Sequence, residues 1–150
     1  MGSRFAALTG ALAVALAAAT VATAGDGGRP LATALSGAEE APGPGDPDAT
    51  GQADLRLNQG RKRVCFDLAW TDVDGVVSAA HIHVAPAGSP GPVVVPLFSG
   101  AFAGTDAASG CVGDVDHGLV RAIRKDPSAY YVNVHSSVFP DGAIRGQLSK

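Results

Sequence analysis

The chain lacks most of what nucleic-acid, membrane and nucleotide chemistry requires. Its formal net charge is −3, with no extended basic run, so it offers no electrostatic footprint for nucleic acid. Past the first 24 residues no apolar stretch is long enough to cross a bilayer, so no membrane span is expected in the mature chain. There is no Walker loop, no dinucleotide fingerprint and no Gly-x-Ser-x-Gly elbow. Ser136 and Ser137 adjoin His135, but neighbours in sequence do not make a triad. Glu39 and Glu40 fall in an irregular stretch that gives a glycosidase pair no frame. A binding role is therefore expected ahead of a catalytic one.

Cysteine is scarce, and its scarcity is informative. There are two, Cys65 and Cys111, neither part of a C-x-x-C and neither surrounded by other ligand-type residues. That argues against a thiolate metal centre and for a disulfide, provided the chain leaves the reducing cytosol. Such a bridge closes a loop of about 47 residues, worth on the order of 4 kcal/mol if loop-closure entropy dominates.

The first 24 residues supply the export signal. Arg4 is the positive flank, Phe5 to Val21 an Ala/Leu/Val run, and Ala22-Thr23-Ala24 an A-x-A cleavage site. A signal peptide over 1–24 is expected, with the mature chain starting near Gly25 and working outside the cytoplasm. No cysteine lies near the cleavage point, so a lipoprotein anchor is not expected. The remainder, 25–150, suffices for one domain with a real core.

Within that domain, 25–48 is expected to be partly irregular. Leu31 to Gly37 reads as an edge strand, and the proline-rich run from Ala41 to Pro47 as loop. A β rhythm follows. Ala53, Leu55 and Leu57 alternate with polar residues, Asn58-Gln59-Gly60-Arg61 turns the chain, and Val64, Phe66, Leu68 and Trp70 continue the apolar parity. Trp70, the single tryptophan, belongs to the core on this reading. Val93 to Phe98 is continuously apolar and reads as a strand buried on both faces or covered by a loop. Ser99 to Gly110 reads as a small-sided loop. One helix is expected from Asp116, its cap, to Lys125, with Leu119, Ala122 and Ile123 as its apolar stripe. Strands are expected again at Tyr130–Ser136 and Ala143–Ser149, joined by a turn at Phe139-Pro140-Asp141-Gly142. The sum is an all-β domain: an antiparallel Greek-key sandwich or barrel with one short helix.

Two of these strands carry the chain's chemistry. In Ala80-His81-Ile82-His83, the two histidines share a face, because residues two apart on a strand point the same way. By the same parity Tyr131, Asn133 and His135 share a face opposite Val132 and Val134, and Arg145 and Gln147 share one opposite Ile144 and Leu148. If the strands are neighbours, three of the four histidines converge on one polar surface. Two uses are open to it. His81, His83 and His135 form an all-nitrogen set suited to copper or zinc rather than calcium or magnesium; equally, they serve as hydrogen-bonded polar packing. Copper–zinc superoxide dismutases carry a similar His-x-His strand pair but need more histidines than the four here, so dismutase activity is not expected. Arg145 could attract an anion or hold the hairpin by pairing with Asp67 or Asp141. His117, at the helix start, reads as a surface residue.

The ordered motifs His81-Ile82-His83, Gly91-Pro92-Val93-Val94-Val95, Tyr131-Val132-Asn133-Val134-His135 and Gly142-Ala143-Ile144-Arg145-Gly146-Gln147-Leu148 resemble those of the CHRD domain family. The resemblance spans nearly all of the mature chain. It implies a secreted, single-domain bacterial member acting as a binding module toward an extracellular protein or surface ligand. One departure is Ala143, where an acidic residue is frequent in the family pattern.

Overall fold

A computed structural model describes residues 27–150 other than residue 103. The expected signal peptide and its cleavage site lie outside the described residues.

Eight strands form one antiparallel sheet: β1 (Arg29–Ser36), β2 (Thr50–Asn58), β3 (Arg63–Thr71), β4 (Val77–Val84), β5 (Val93–Ser99), β6 (Ala107–Val112), β7 (Tyr130–Ser136) and β8 (Ile144–Gln147). Their order is β5-β4-β7-β8-β1-β2-β3-β6. Three neighbour pairs, β4–β7, β8–β1 and β3–β6, join strands that are not consecutive in the chain, as in a Greek-key barrel. The two end strands, β5 and β6, come into contact, so the barrel is nearly closed. Among the described residues no helix is long and apolar enough to cross a membrane.

Period-two alternation fills the barrel. Leu55, Leu57, Val64, Phe66, Leu68, Ile82, Val95, Val132, Val134 and Ile144 are all buried in one cluster. Trp70 belongs to it, as its parity predicts, and packs with Phe98 and Phe102. The helix α1 (His117–Lys125) adds Val120 and Ile123 to the same core, while Leu119 and Ala122 lie at its margin. The Asp116 side chain accepts the Leu119 N–H at 2.8 Å, satisfying one of the free donors of the first turn.

Three expectations need correction. β1 is not an edge strand: it lies between β2 and β8, pairing along its whole length with β2. Val93–Ser99 is not covered on both faces. It is an end strand in which Val95 and Leu97 point inward and Val93 is 46% exposed. Pro96 within it was the available signal, because proline cannot donate to a ladder and is confined to sheet edges. The supposed loop before the helix contains β6, whose residues Ala107-Ala108-Ser109-Gly110-Cys111-Val112 are too small to announce a strand. Pairing with β3 defines it, and in that register Cys65 stands opposite Cys111. The two are bridged, as the even cysteine count predicts.

Candidate functional site: a covered polar face

β4, β7 and β8 lie side by side, and their odd-numbered residues form rows across the outer surface of the barrel. His81, Asn133 and Arg145 are register partners in one row; His83, Tyr131 and Gln147 in the next. His135 stands opposite Ala79 one row further on. The parity argument thus places the seven polar residues together. Irregularities in the β4–β5 ladder fall directly beside His81 and His83, where bulges re-aim side chains.

The centre of the face is shielded from solvent, while His81, His135 and Gln147 are half-buried. Arg145 is 1% exposed, Asn133 and Tyr131 3%, and His83 8%. The β4–β5 connection folds over them and supplies a collar of carbonyl groups. Arg145 donates to the carbonyls of Ser89 at 2.9 Å and Pro86 at 3.0 Å, and Gln147 donates to that of Ala85 at 2.7 Å. The Gly91 N–H donates to the Tyr131 hydroxyl at 3.2 Å. Gly91 must be glycine for this, since a Cβ there would collide with the Val84 carbonyl. Arg145 therefore does not pair with Asp67 or Asp141. Asp67 faces outward on β3, across from Asp54, and the cation is held by backbone oxygens and by the Tyr131 ring 3.4 Å beneath it.

Tyr131 in turn stacks on His83, with centroids 4.7 Å apart and planes 10° from parallel. The His83 Nδ1 is 2.8 Å from the Gly91 carbonyl, which can only accept, so Nδ1 carries a proton. That Nε2 is buried and has no partner. His135 repeats the pattern: its Nδ1 donates to the Pro140 carbonyl at 2.9 Å. Its Nε2 then accepts from His81 Nδ1 at 3.0 Å. One ligand-type nitrogen from each of the three histidines lies within 4.8 Å of the others. Burial, reinforced by the neighbouring imidazoles, lowers the His81 pKa to about 4. Burial also lowers that of His135, against the Pro140 hydrogen bond. His81 and His135 are thus neutral imidazoles at pH 7.

Glu40 was not foreseen as part of this face. It follows the short 3-10 turn Gly37–Glu39, and its carboxylate fills the space where a side chain on Gly142 would sit. Gly142 also has φ 146°, open only to glycine. Burial raises the Glu40 pKa to about 7, opposed by Arg145, the Ala41 N–H and Asn133. A carboxyl thus reaches the neighbourhood of Arg145 and Asn133 from the irregular segment, although Ala143 provides none. Glu40 borders a cleft of about 320 Å³ walled by Ala41–Pro44 and Val138–Gly142. His117 and Ser136 lie outside the face. His117 is exposed on the helix, 2.9 Å from the Gln59 amide. The Ser136 hydroxyl donates to the Asp74 carbonyl at 2.6 Å, a structural use.

The described residues thus form an all-β module: an antiparallel, nearly closed β-barrel with a loop-covered polar face and an inter-strand disulfide. The CHRD domain family matches residues 31–148, and the chain belongs to that family. Neither a curated protein nor a solved structure matches the chain.

Proposed function

We propose that this chain is an exported, non-catalytic binding module of the CHRD type, a single domain over 25–150 freed near Gly25 and engaging an extracellular protein or surface ligand. The engaging residues on this reading are those of the covered face: His81, His83, Tyr131, Asn133, His135, Arg145 and Gln147. One observation carries it. Three buried side-chain atoms in this region, His83 Nε2, Asn133 Oδ1 and Glu40 Oε1, have no hydrogen-bond partner. Buried polar atoms are nearly always paired, and an unpaired group costs about 1–3 kcal/mol. Three together fit a site whose ligand completes the pairing. The Cys65–Cys111 bridge fits the oxidising compartment that export implies.

Labelled mature protein should bind the surface of its producing cells, and Asn133→Leu should weaken that binding at least tenfold with the fold intact. Equal binding by the variant would remove the face from the account. Mass spectrometry of the exported protein should find its N-terminus near Gly25.

A second reading makes the ligand a copper or zinc ion on His81, His83 and His135. The convergence of three nitrogens within 4.8 Å favours it, because imidazole is a ligand for both metals. Calorimetry should then give about one equivalent per chain, lost in His83→Ala and kept in His117→Ala.

A further inference from the structure

We propose that the three histidines form a divalent copper centre ligated by His81 Nδ1, His83 Nε2 and His135 Nε2, which leaves one coordination position for an exchangeable ligand. The proposal rests on the metal reading above and adds the ligating atoms, the preferred ion and the open position.

The atoms follow from hydrogen bonding. His83 and His135 each spend Nδ1–H on a backbone carbonyl, which is how metal-bound imidazoles are usually oriented by their surroundings. With Nδ1 so committed, Nε2 is the nitrogen each ring offers to a metal. His81 turns Nδ1 toward His135 Nε2, so its ligating nitrogen differs from the other two. A metal entering there takes the place of the His81 Nδ1–H, and that imidazole stays neutral by carrying its proton on Nε2 instead.

The preferred ion follows from donor type, and the spacing admits it. With metal–nitrogen bonds of about 2.0 Å, adjacent corners of a square lie ~2.9 Å apart and corners of a tetrahedron ~3.3 Å. The His81 and His135 nitrogens, 3.0 Å apart across a hydrogen bond, already stand close to the separation either geometry requires. Opposite corners lie ~4 Å apart, so a pair at the 4.8 Å limit closes by less than ~1 Å, within reach of side-chain rotation. A tetragonal nitrogen set suits copper(II), which also stands above zinc in intrinsic affinity.

The open position follows from ligand count. Among the described residues no cysteine, aspartate or glutamate joins the three histidines. Glu40 serves Arg145 and Asn133 instead. Three protein donors leave a four-coordinate ion one place for water, a small anion or a nitrogen or sulfur donor of a partner. Arg145 does not close it, because its guanidinium lies on the Tyr131 ring, whose stacking partner is His83.

The test is a titration of the exported protein with a copper(II) salt at pH 7, followed by electron paramagnetic resonance. One copper per chain is expected, with nitrogen hyperfine structure from three imidazoles, and azide should shift the spectrum without releasing the metal. Zinc should bind more weakly. His83→Ala should lose more than the ~10–100-fold that loss of an outer-shell partner costs, and His117→Ala should lose nothing. His81→Ala, at a partly exposed position, provides a second variant if His83→Ala does not fold. No copper bound, or equal binding by the folded variants, overturns the metal centre and the metal reading together. Histidine-dependent copper whose spectrum ignores azide and imidazole overturns the open position alone.

Discussion

The outer surface of the barrel has two halves built on the same alternation and put to different uses. On β2 and β3, Gln52, Asp54, Arg56, Asp67 and Ala69 point outward and are exposed. On β7, six of seven residues are buried whichever way they point, and the exception, His135, is half-buried. Nothing in the strands themselves separates the two cases. The difference is that the β4–β5 connection and the segment around Glu40 fold over one half and not the other. A polar strand face next to water tolerates even Asp54 opposite Asp67, a like-charge pairing that is unfavourable across a ladder. A polar face under a lid must pair its groups, and the unpaired ones here are those the proposed ligand would satisfy.

The largest expected effect breaks the covered half. Arg145→Leu removes a buried cation from two carbonyls and an aromatic ring, and should cost on the order of 3–5 kcal/mol in urea unfolding. A loss below about 1 kcal/mol would show that the lid opens readily. On the exposed half the staple matters more than the charges. Replacing Cys65 and Cys111 by serine should cost about 2–4 kcal/mol, because β6 has little apolar surface with which to hold β3. Unchanged stability on reduction would contradict this.

Titration sharpens the contrast, since Glu40, His81 and His135 all belong to the covered half. The folded protein holds the Glu40 proton up to about pH 7, whereas the unfolded chain releases it near 4.5. Stability from this group therefore falls as pH rises through that window, and Glu40→Gln should gain more at pH 8 than at pH 4.5. His81 acts with the opposite sign. The unfolded chain takes a proton near pH 6.5 that the folded one refuses until about 4, so stability falls as pH drops across that interval. His81→Gln should make the acid limb of the profile shallower; an identical limb would show that the imidazole is not desolvated. The smallest effect is on the exposed face. Asp54→Ala and Asp67→Ala should each stay within about ±0.5 kcal/mol.

Much of this was legible in the sequence, and for local reasons. The parity of His81, His83, Tyr131, Asn133, His135, Arg145 and Gln147 brings them to one face once β4, β7 and β8 are neighbours. Leu55, Val64 and Trp70 point inward by the same rule. The cap at Asp116 and the Cys65–Cys111 bridge also follow from residue type. What stayed hidden depends on contacts between distant segments. β6 exists because β3 pairs with it, not because Ala107-Ala108-Ser109 prefers a strand. The interior place of β1 depends on β8, more than a hundred residues later. Glu40 reaches the site from a proline-rich stretch with no periodicity. The partners of Arg145 are carbonyl groups of a loop, which no residue letter encodes.

The central claim is that the fold brings three imidazoles together before any ligand arrives, with the Nδ1–H groups of His83 and His135 committed to the Gly91 and Pro140 carbonyls. Long-range proton–nitrogen NMR of the metal-free protein at pH 7 tests it directly. His83 and His135 should both appear with Nδ1 protonated and hydrogen-bonded, and His81 as a neutral ring that remains uncharged at pH 5.5. Rings that exchange between tautomers, or an imidazolium at His81 at pH 5.5, would contradict a prearranged site and return the face to ordinary polar packing.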